Sequence, residues 1–140
     1  MRVLVAIDAS EASGKMVEYL RQHAALFQAA QMICVYIDPP TPLRAVGAFG
    51  ADPGMPAVAP GDPQRVIDPV LARLRDAGFA PELLLREGEP GPEIAQIAAD
   101  GGYDLIVMGA GQRGLLRRKL LGSVAHTVLN QATVPVLIVR

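Results

Sequence analysis

The residues best suited to chemistry sit in one stretch, Gly109 to Ser123. It reads Gly109-Ala110-Gly111-Gln112-Arg113-Gly114, then Leu115-Leu116-Arg117-Arg118-Lys119-Leu120-Leu121, then Gly122-Ser123. Glycines let backbone N–H groups approach a phosphate with no Cβ in the way. A helix opening near Ser123 would add unpaired N–H groups and the positive end of its dipole. Ser123 offers a hydroxyl, and Arg113, Arg117, Arg118 and Lys119 place four positive charges within seven residues. This arrangement suits phosphate binding. It equally suits plain structure: a glycine turn after a strand, a serine cap and a solvated basic face. It is not a Walker loop, which needs Gly-Lys-Ser/Thr at the start of its helix. Nor is it a dinucleotide fingerprint, because it follows the fourth predicted strand rather than the first.

The rest of the chemical inventory is thin. The two histidines, His23 and His126, both fall in predicted helices. His126 lies one turn after Ser123, but no Gly-x-Ser-x-Gly elbow surrounds that serine and no third group is evident. The single cysteine, Cys34, lies mid-strand and reads as a small buried hydrophobe. Neither histidine nor the cysteine falls at metal-ligand spacing. The acidic residues are scattered.

Five strands and four helices are needed to position these groups. Val3 to Ile7 is a continuous apolar run ended by Asp8, as expected of a strand buried on both faces. Ser10 is a candidate N-cap for a helix whose stripe is Val17, Leu20, Ala24 and Phe27. Gln31 to Asp38 is a second strand. Residues 39–63 hold eleven prolines and glycines in 25 positions, so they are expected to form a long surface loop. Helical pattern resumes near Asp62-Pro63 with Val66, Val70, Leu71 and Leu74. Pro69 either kinks that helix or marks its true start. Pro81 to Arg86 is a third strand. Gly88-Glu89-Pro90 opens a helix with Ile94, Ile97 and Ala98 inward, closed by Gly101-Gly102. Asp104 to Gly109 is a fourth strand. Gly122-Ser123 opens the last helix, with Val124, Val128 and Leu129. Pro135 to Val139 is the closing strand.

Alternation of this kind predicts an α/β domain, a five-stranded parallel sheet with helices on both faces. Ligands of such folds sit beyond the carboxyl ends of the strands, where strand order reverses. The positions to inspect are therefore Asp8, Asp38, Gly88 and Gly109 onward.

The bulk numbers agree with one small domain. The chain has 140 residues, 51% of them hydrophobic, and a formal charge of −1. No net field favours nucleic acid or an anionic membrane, and three Tyr, three Phe and no Trp offer no readable stacking surface. A single cysteine excludes an internal disulfide framework. No apolar run approaches the ~20 residues of a membrane span. The opening Met1 to Asp8 turns acidic too soon for a signal peptide. The expected location is the cytoplasm, with no membrane and no nucleic acid as partner.

Leu4-Val5-Ala6-Ile7-Asp8-Ala9-Ser10, Asp104 to Gly109, Leu120-Leu121-Gly122-Ser123-Val124-Ala125 and Thr133 to Val139 together make a pattern that resembles the universal stress protein family. The resemblance spans residues 1–140 apart from the Pro/Gly loop. It implies a single Rossmann-like, doubly wound domain and a small stress-response regulator acting through partner binding, with at most weak ATP hydrolysis. In nucleotide-binding members the motif is Gly, two residues, Gly, nine residues, Gly, then Ser or Thr. Counted back from Gly122-Ser123, the second Gly falls on Gln112 and the first on Gly109. Gly111-Gln112-Arg113-Gly114 is a proper Gly-x-x-Gly, but only seven residues separate it from Gly122.

The resemblance places Asp8 at the adenosine end of a ligand, where an Asp could equally cap the following turn. It places Ile37 against the base through backbone N–H and C=O, beside a role in the core. Met108, Gly109, Gly111, Gln112, Gly122, Ser123 and Val124 would line the ribose and phosphate region. The implied ligand is ATP or a related adenine nucleotide, with Mg2+ accompanying ATP. The other reading is a nucleotide-independent dimeric signalling protein whose site is degenerate at Gln112. In either, strand 135–139 is expected to pair with its twin.

Overall fold

The computed structural model describes residues 1–40, 62–111 and 121–140. Among the described residues are five strands and five helices, which alternate except that α2 follows α1 directly. They are β1 (Arg2–Ala6), α1 (Glu11–Gln22), α2 (Ala24–Phe27), β2 (Gln31–Asp38), α3 (Pro63–Asp76), β3 (Glu82–Glu87), α4 (Pro90–Asp100), β4 (Leu105–Gly109), α5 (Ser123–Gln131) and β5 (Val136–Val139). All strands run parallel, in the order β3-β2-β1-β4-β5. The order reverses between β1 and β4, because the chain winds outward first on one side of β1 and then on the other.

Strand alternation divides the core into two layers. Val3, Val5 and Ile7 point to one face, where Cys34, Met16, Leu20, Ile67 and Leu74 pack with them. Leu4 and Ala6 point to the other, joining Ile33, Val35, Ile94, Met108 and Val128. So α1 and α3 cover one face, and α4 and α5 cover the other. β1 beyond Arg2 and all of β4 are interior and apolar, as strands covered on both sides must be. Truncating a fully buried residue such as Leu20 to alanine is expected to cost about 2–5 kcal/mol.

Several local expectations are corrected. The stripe running to Phe27 is two helices, not one. His23 leaves helical geometry, and its ring stacks on Tyr19 at 4.2 Å. The third helix starts at Pro63, with Asp62 as N-cap accepting from the Gln64 N–H at 3.0 Å. Residues 41–61 of the expected Pro/Gly loop lie outside the described residues; its last expected residue, Pro63, is helical, and Pro69 lies inside the helix. The inward stripe of α3 is Ile67, Leu71 and Leu74, with Val66 and Val70 half-buried, because the register follows Pro63. In α5 the inward residues are Ala125 and Val128. Leu129 turns outward, one step of 100° past the buried face. β3 is an edge strand, exposed along nearly its whole length.

The loop between α4 and β4, at the sheet's opposite end, is tied to β1 by Arg2. Its backbone N–H donates to Asp104 Oδ2 at 2.6 Å, its side chain donates to the Gly101 carbonyl, and its guanidinium lies 4.7 Å from the Tyr103 ring centre. This staple holds β4 beside β1 at their N-terminal ends.

Candidate functional site

The reversal of strand order opens a cleft at the carboxyl ends of β1, β2 and β4. It measures about 640 Å³ including its open mouth. Asp8, Ile37, Met108, Gly109, Gly111, Ser123 and Val124 all line it. Gly122 does not, and Gln112 lies outside the described residues. Eight cleft residues were not marked as site residues in the sequence reading, among them Ser13, Val35, Pro90 and Ile94. Ser13 had a signal, being a serine on the same helical face as Val17 and Leu20. Its relative exposure is 3%, the sole polar residue among the buried ones described.

Asp8 follows β1 and shapes the turn into α1. Its Oδ1 accepts from the Ser10 N–H (2.9 Å), the Ser10 hydroxyl (2.5 Å) and the Ser13 hydroxyl (2.7 Å). In return Ser13 Oγ accepts from the Asp8 N–H at 2.9 Å. The turn-capping role is thus realised. All three acceptor bonds fall on Oδ1. Ser10 stands at the N-cap position, but its hydroxyl is turned to Asp8 and makes no cap bond to α1.

Ile37 belongs to the core through its side chain. Its backbone has a separate role. The Ile7 N–H donates to the Val35 carbonyl at 3.0 Å, so odd residues of β2 turn their backbone groups toward β1. The β1–β2 register ends at Ala6 opposite Val35. The N–H and C=O of Ile37 therefore face the space beyond the end of β1, which is the cleft.

The two glycines flanking the basic stretch are required by packing. A Cβ on Gly109 would stand 2.6 Å from Ala12 Cβ and 2.7 Å from the Ala12 carbonyl, so β4 ends hard against the first turn of α1. A Cβ on Gly122 would run into the Gly111 carbonyl group. The Gly122 N–H donates to the Ala110 carbonyl at 2.9 Å. Gly111 itself has φ +61°, the left-handed region that favours glycine. Together these contacts clamp the end of β4 to the start of α5.

Gly122 is the N-cap of α5, so Ser123 is its first helical residue and not its cap. The first N–H with an intrahelical partner is that of His126, which donates to Gly122 O at 2.9 Å. The N–H groups of Ser123 and Val124 have no acceptor within the helix. The three helix starts that border the cleft differ in charge. α1 has Glu11 in its first turn and Asp8 just before it. α4 has Glu89 at its N-cap and Glu93 in its first turn. α5 has no acidic residue there. The cleft is therefore polarised, acidic toward α1 and α4 and open to an anion at α5.

No catalytic constellation forms among the described residues. No hydrogen bond joins Ser123 to His126, and no cluster of three His, Cys, Asp or Glu could hold a metal. Burial pushes the Cys34 thiol up to about 12, far from a reactive thiolate. No described helix is long and apolar enough to cross a membrane.

A doubly wound parallel sheet with a polarised cleft at its switch point defines a class of small-ligand α/β domains. The sequence pattern of the universal stress protein family matches residues 1–140. Universal stress protein YxiE of Bacillus subtilis is 30% identical over 99% of this chain and 98% of its own. Universal stress protein MJ0577 of Methanocaldococcus jannaschii is 38% identical over 51% of this chain and 44% of its own length. The solved structure of MJ0577 superposes with a TM-score of 0.74 at 25% identity, covering 99% of this chain and 94% of that one. A universal stress protein in complex with cAMP gives a TM-score of 0.68 at 25% identity, covering 100% of this chain and 96% of that one. The chain belongs to the universal stress protein family.

Proposed function

We propose that this chain binds an adenine nucleotide in the switch-point cleft and acts through a partner that senses its occupancy. The observation that carries this reading is the polarity of the cleft. At one end, Asp8 and the unladdered backbone of Ile37 offer acceptors and a donor to a nucleoside. At the other, the acid-free start of α5 offers N–H groups and the Ser123 hydroxyl to a phosphate. Val35, Ile94 and Met108 supply apolar walls between them. The relative crystallised with cAMP supports the ligand class. ATP fits the same polarity, and the phosphates of ATP would bring Mg2+ with them. Met108, Gly109, Gly111, Ser123 and Val124 form the ribose and phosphate side of the proposed site, with Gly122 behind it, packed on Gly111. Among the described lining residues the one carboxylate, Asp8, has its Oδ1 taken by Ser10 and Ser13, so the role proposed is binding rather than turnover, with ATP hydrolysis at most weak. The setting proposed is the cytoplasm.

Titration calorimetry of the purified chain with ATP, AMP and cAMP tests this. Binding of at least one, weakened about tenfold or more by Ser123→Ala, is the expected result; one lost charge-assisted hydrogen bond is worth about that much. Absence of heat with all three, or unchanged affinity in Ser123→Ala, refutes it.

One observation favours a second reading. Gly109 and Gly122 are both demanded by packing, so their presence needs no ligand. A nucleotide-independent dimer that uses β5 would keep them. Among the described strands β5 is a sheet edge, paired with β4 alone. Dimers that form equally well in nucleotide-free protein, with no heat on nucleotide addition, would select this reading.

A further inference from the structure

β3 is the other sheet edge, and it is poorly protected. Leu83 and Leu85 are 37% and 46% exposed, and both lie on the same face, opposite Cys34 and Tyr36 of β2. Exposed leucines on an unpaired edge are a template for pairing with another strand. The backbone is set for it. The Gly88 N–H donates to the Asp38 carbonyl at 3.0 Å, so even residues of β3 turn toward β2. The odd ones, Leu83, Leu85 and Glu87, turn their N–H and C=O groups outward. No described residue bonds to them.

We propose that β3 is a self-association edge, and that its occupant is the β3 of a second copy, antiparallel and centred on Leu84. The charge pattern selects that register. With Leu84 on the two-fold axis, Glu82 faces the second copy's Arg86 at both ends. Leu83 faces Leu85 of the second copy on the other side of the sheet, and those pairs exchange outward-facing N–H···O=C bonds. The strand Glu-Leu-Leu-Leu-Arg-Glu is thus complementary to itself on both faces. The next register that the outward N–H and C=O groups allow, centred on Leu85, would instead set Leu83 against Glu87 and Leu84 against Arg86, leaving both charges without an opposite partner. The second copy's Pro81, which has no N–H, stands opposite Glu87 and ends the pairing there. Any partner sheds the charged edge only by answering Glu82 and Arg86 with opposite charge, which a second copy does. This contact is independent of nucleotide binding. Joined to a β5 dimer, it would continue the sheet from one dimer to the next.

The test is site-directed crosslinking in the full chain. Residue 84 sits at a non-hydrogen-bonded pair, where opposed Cβ atoms lie about 4.5–5.5 Å apart, close enough for a disulfide. Under mild oxidation with diamide, Leu84→Cys is expected to form covalent dimer at least tenfold more than Glu87→Cys. The latter puts its two thiols about 20 Å apart across the same axis. Wild type, with Cys34 buried, serves as background. In the Leu84→Cys chain, Glu82→Arg or Arg86→Glu alone should lower the yield several-fold, and the two together should restore it. A β5 contact cannot produce this pattern. Sedimentation of Leu85→Lys, which leaves Leu84 and the buried core in place, supplies a second readout: it should lose association that wild type shows. Equal crosslinking at residues 84 and 87, no rescue by the charge swap, or identical sedimentation of Leu85→Lys and wild type would overturn the proposal.

Discussion

Replacing Asp8 by alanine tests the link between fold and site, because this carboxylate organises the turn that forms one wall of the cleft. Three hydrogen bonds end on its Oδ1, two from Ser10 and one from Ser13. The Ser10 pair is exposed and is worth roughly 0.5 kcal/mol per bond, the low end of the usual range. The Ser13 bond differs, because Ser13 is buried and its hydroxyl would be left without that acceptor. That loss costs about 1–2 kcal/mol. Asp8→Ala is therefore expected to destabilise the chain by about 2–3 kcal/mol, read as a fall in melting temperature of about 6–10 °C. Ser13→Ala breaks the same interaction from the other side and also orphans the Asp8 N–H. The double variant should cost less than the sum of the singles, with a coupling of about 1 kcal/mol or more. Urea unfolding of the four chains gives the cycle. Additive losses, with coupling below about 0.5 kcal/mol, would refute the view that Asp8 and Ser13 form one hydrogen-bonded unit.

Other expectations follow from the same geometry. Gly109→Ala drives a Cβ into the backbone of Ala12 and should cost about 1–3 kcal/mol in thermal or urea melts, with nucleotide affinity falling as α1 is pushed back. Cys34 should resist alkylation at pH 8 in the folded chain and react readily in urea. Its folded pKa, raised to about 12 by burial, lies above the unfolded value near 9. The stability tied to its protonated form is therefore full below pH 9 and lost as pH rises toward 12, and Cys34→Ala should flatten that decline. Pro69→Ala should raise stability by about 1–3 kcal/mol, because Pro69 sits inside α3 and removes the bond its N–H would give to Arg65 O. No gain there would mean that the helix gains from proline stiffness in the unfolded chain as much as it loses.

The parallel α/β architecture was legible because each central strand is a continuous apolar run and each helix has a spaced stripe. Val3 to Ile7 and Leu105 to Gly109 could only be strands covered on both faces. The stop at Gly101-Gly102 and the start at Asp62-Pro63 were readable from backbone chemistry alone. Leu129 and the α3 stripe were misjudged because a one-residue change in helix register turns a side chain by 100°, and that register is set by what the helix packs against. The break at His23 had no propensity signal.

What the sequence determined by itself is the set of elements, their alternation and the family to which the chain belongs. It also marked Asp8, Ile37, Met108, Gly109, Gly111, Ser123 and Val124, all of which border one cleft. Their meeting there is a matter of tertiary structure, since strand order 3-2-1-4-5 brings residues a hundred positions apart to one end of the sheet. Only the fold shows that Ser13 is buried on Asp8, that Gly122 packs on Gly111 instead of lining the cleft, and that β3 leaves two leucines on an open edge. Those outcomes depend on which neighbours surround each residue, and a linear pattern specifies the faces of its elements but not the partners those faces meet.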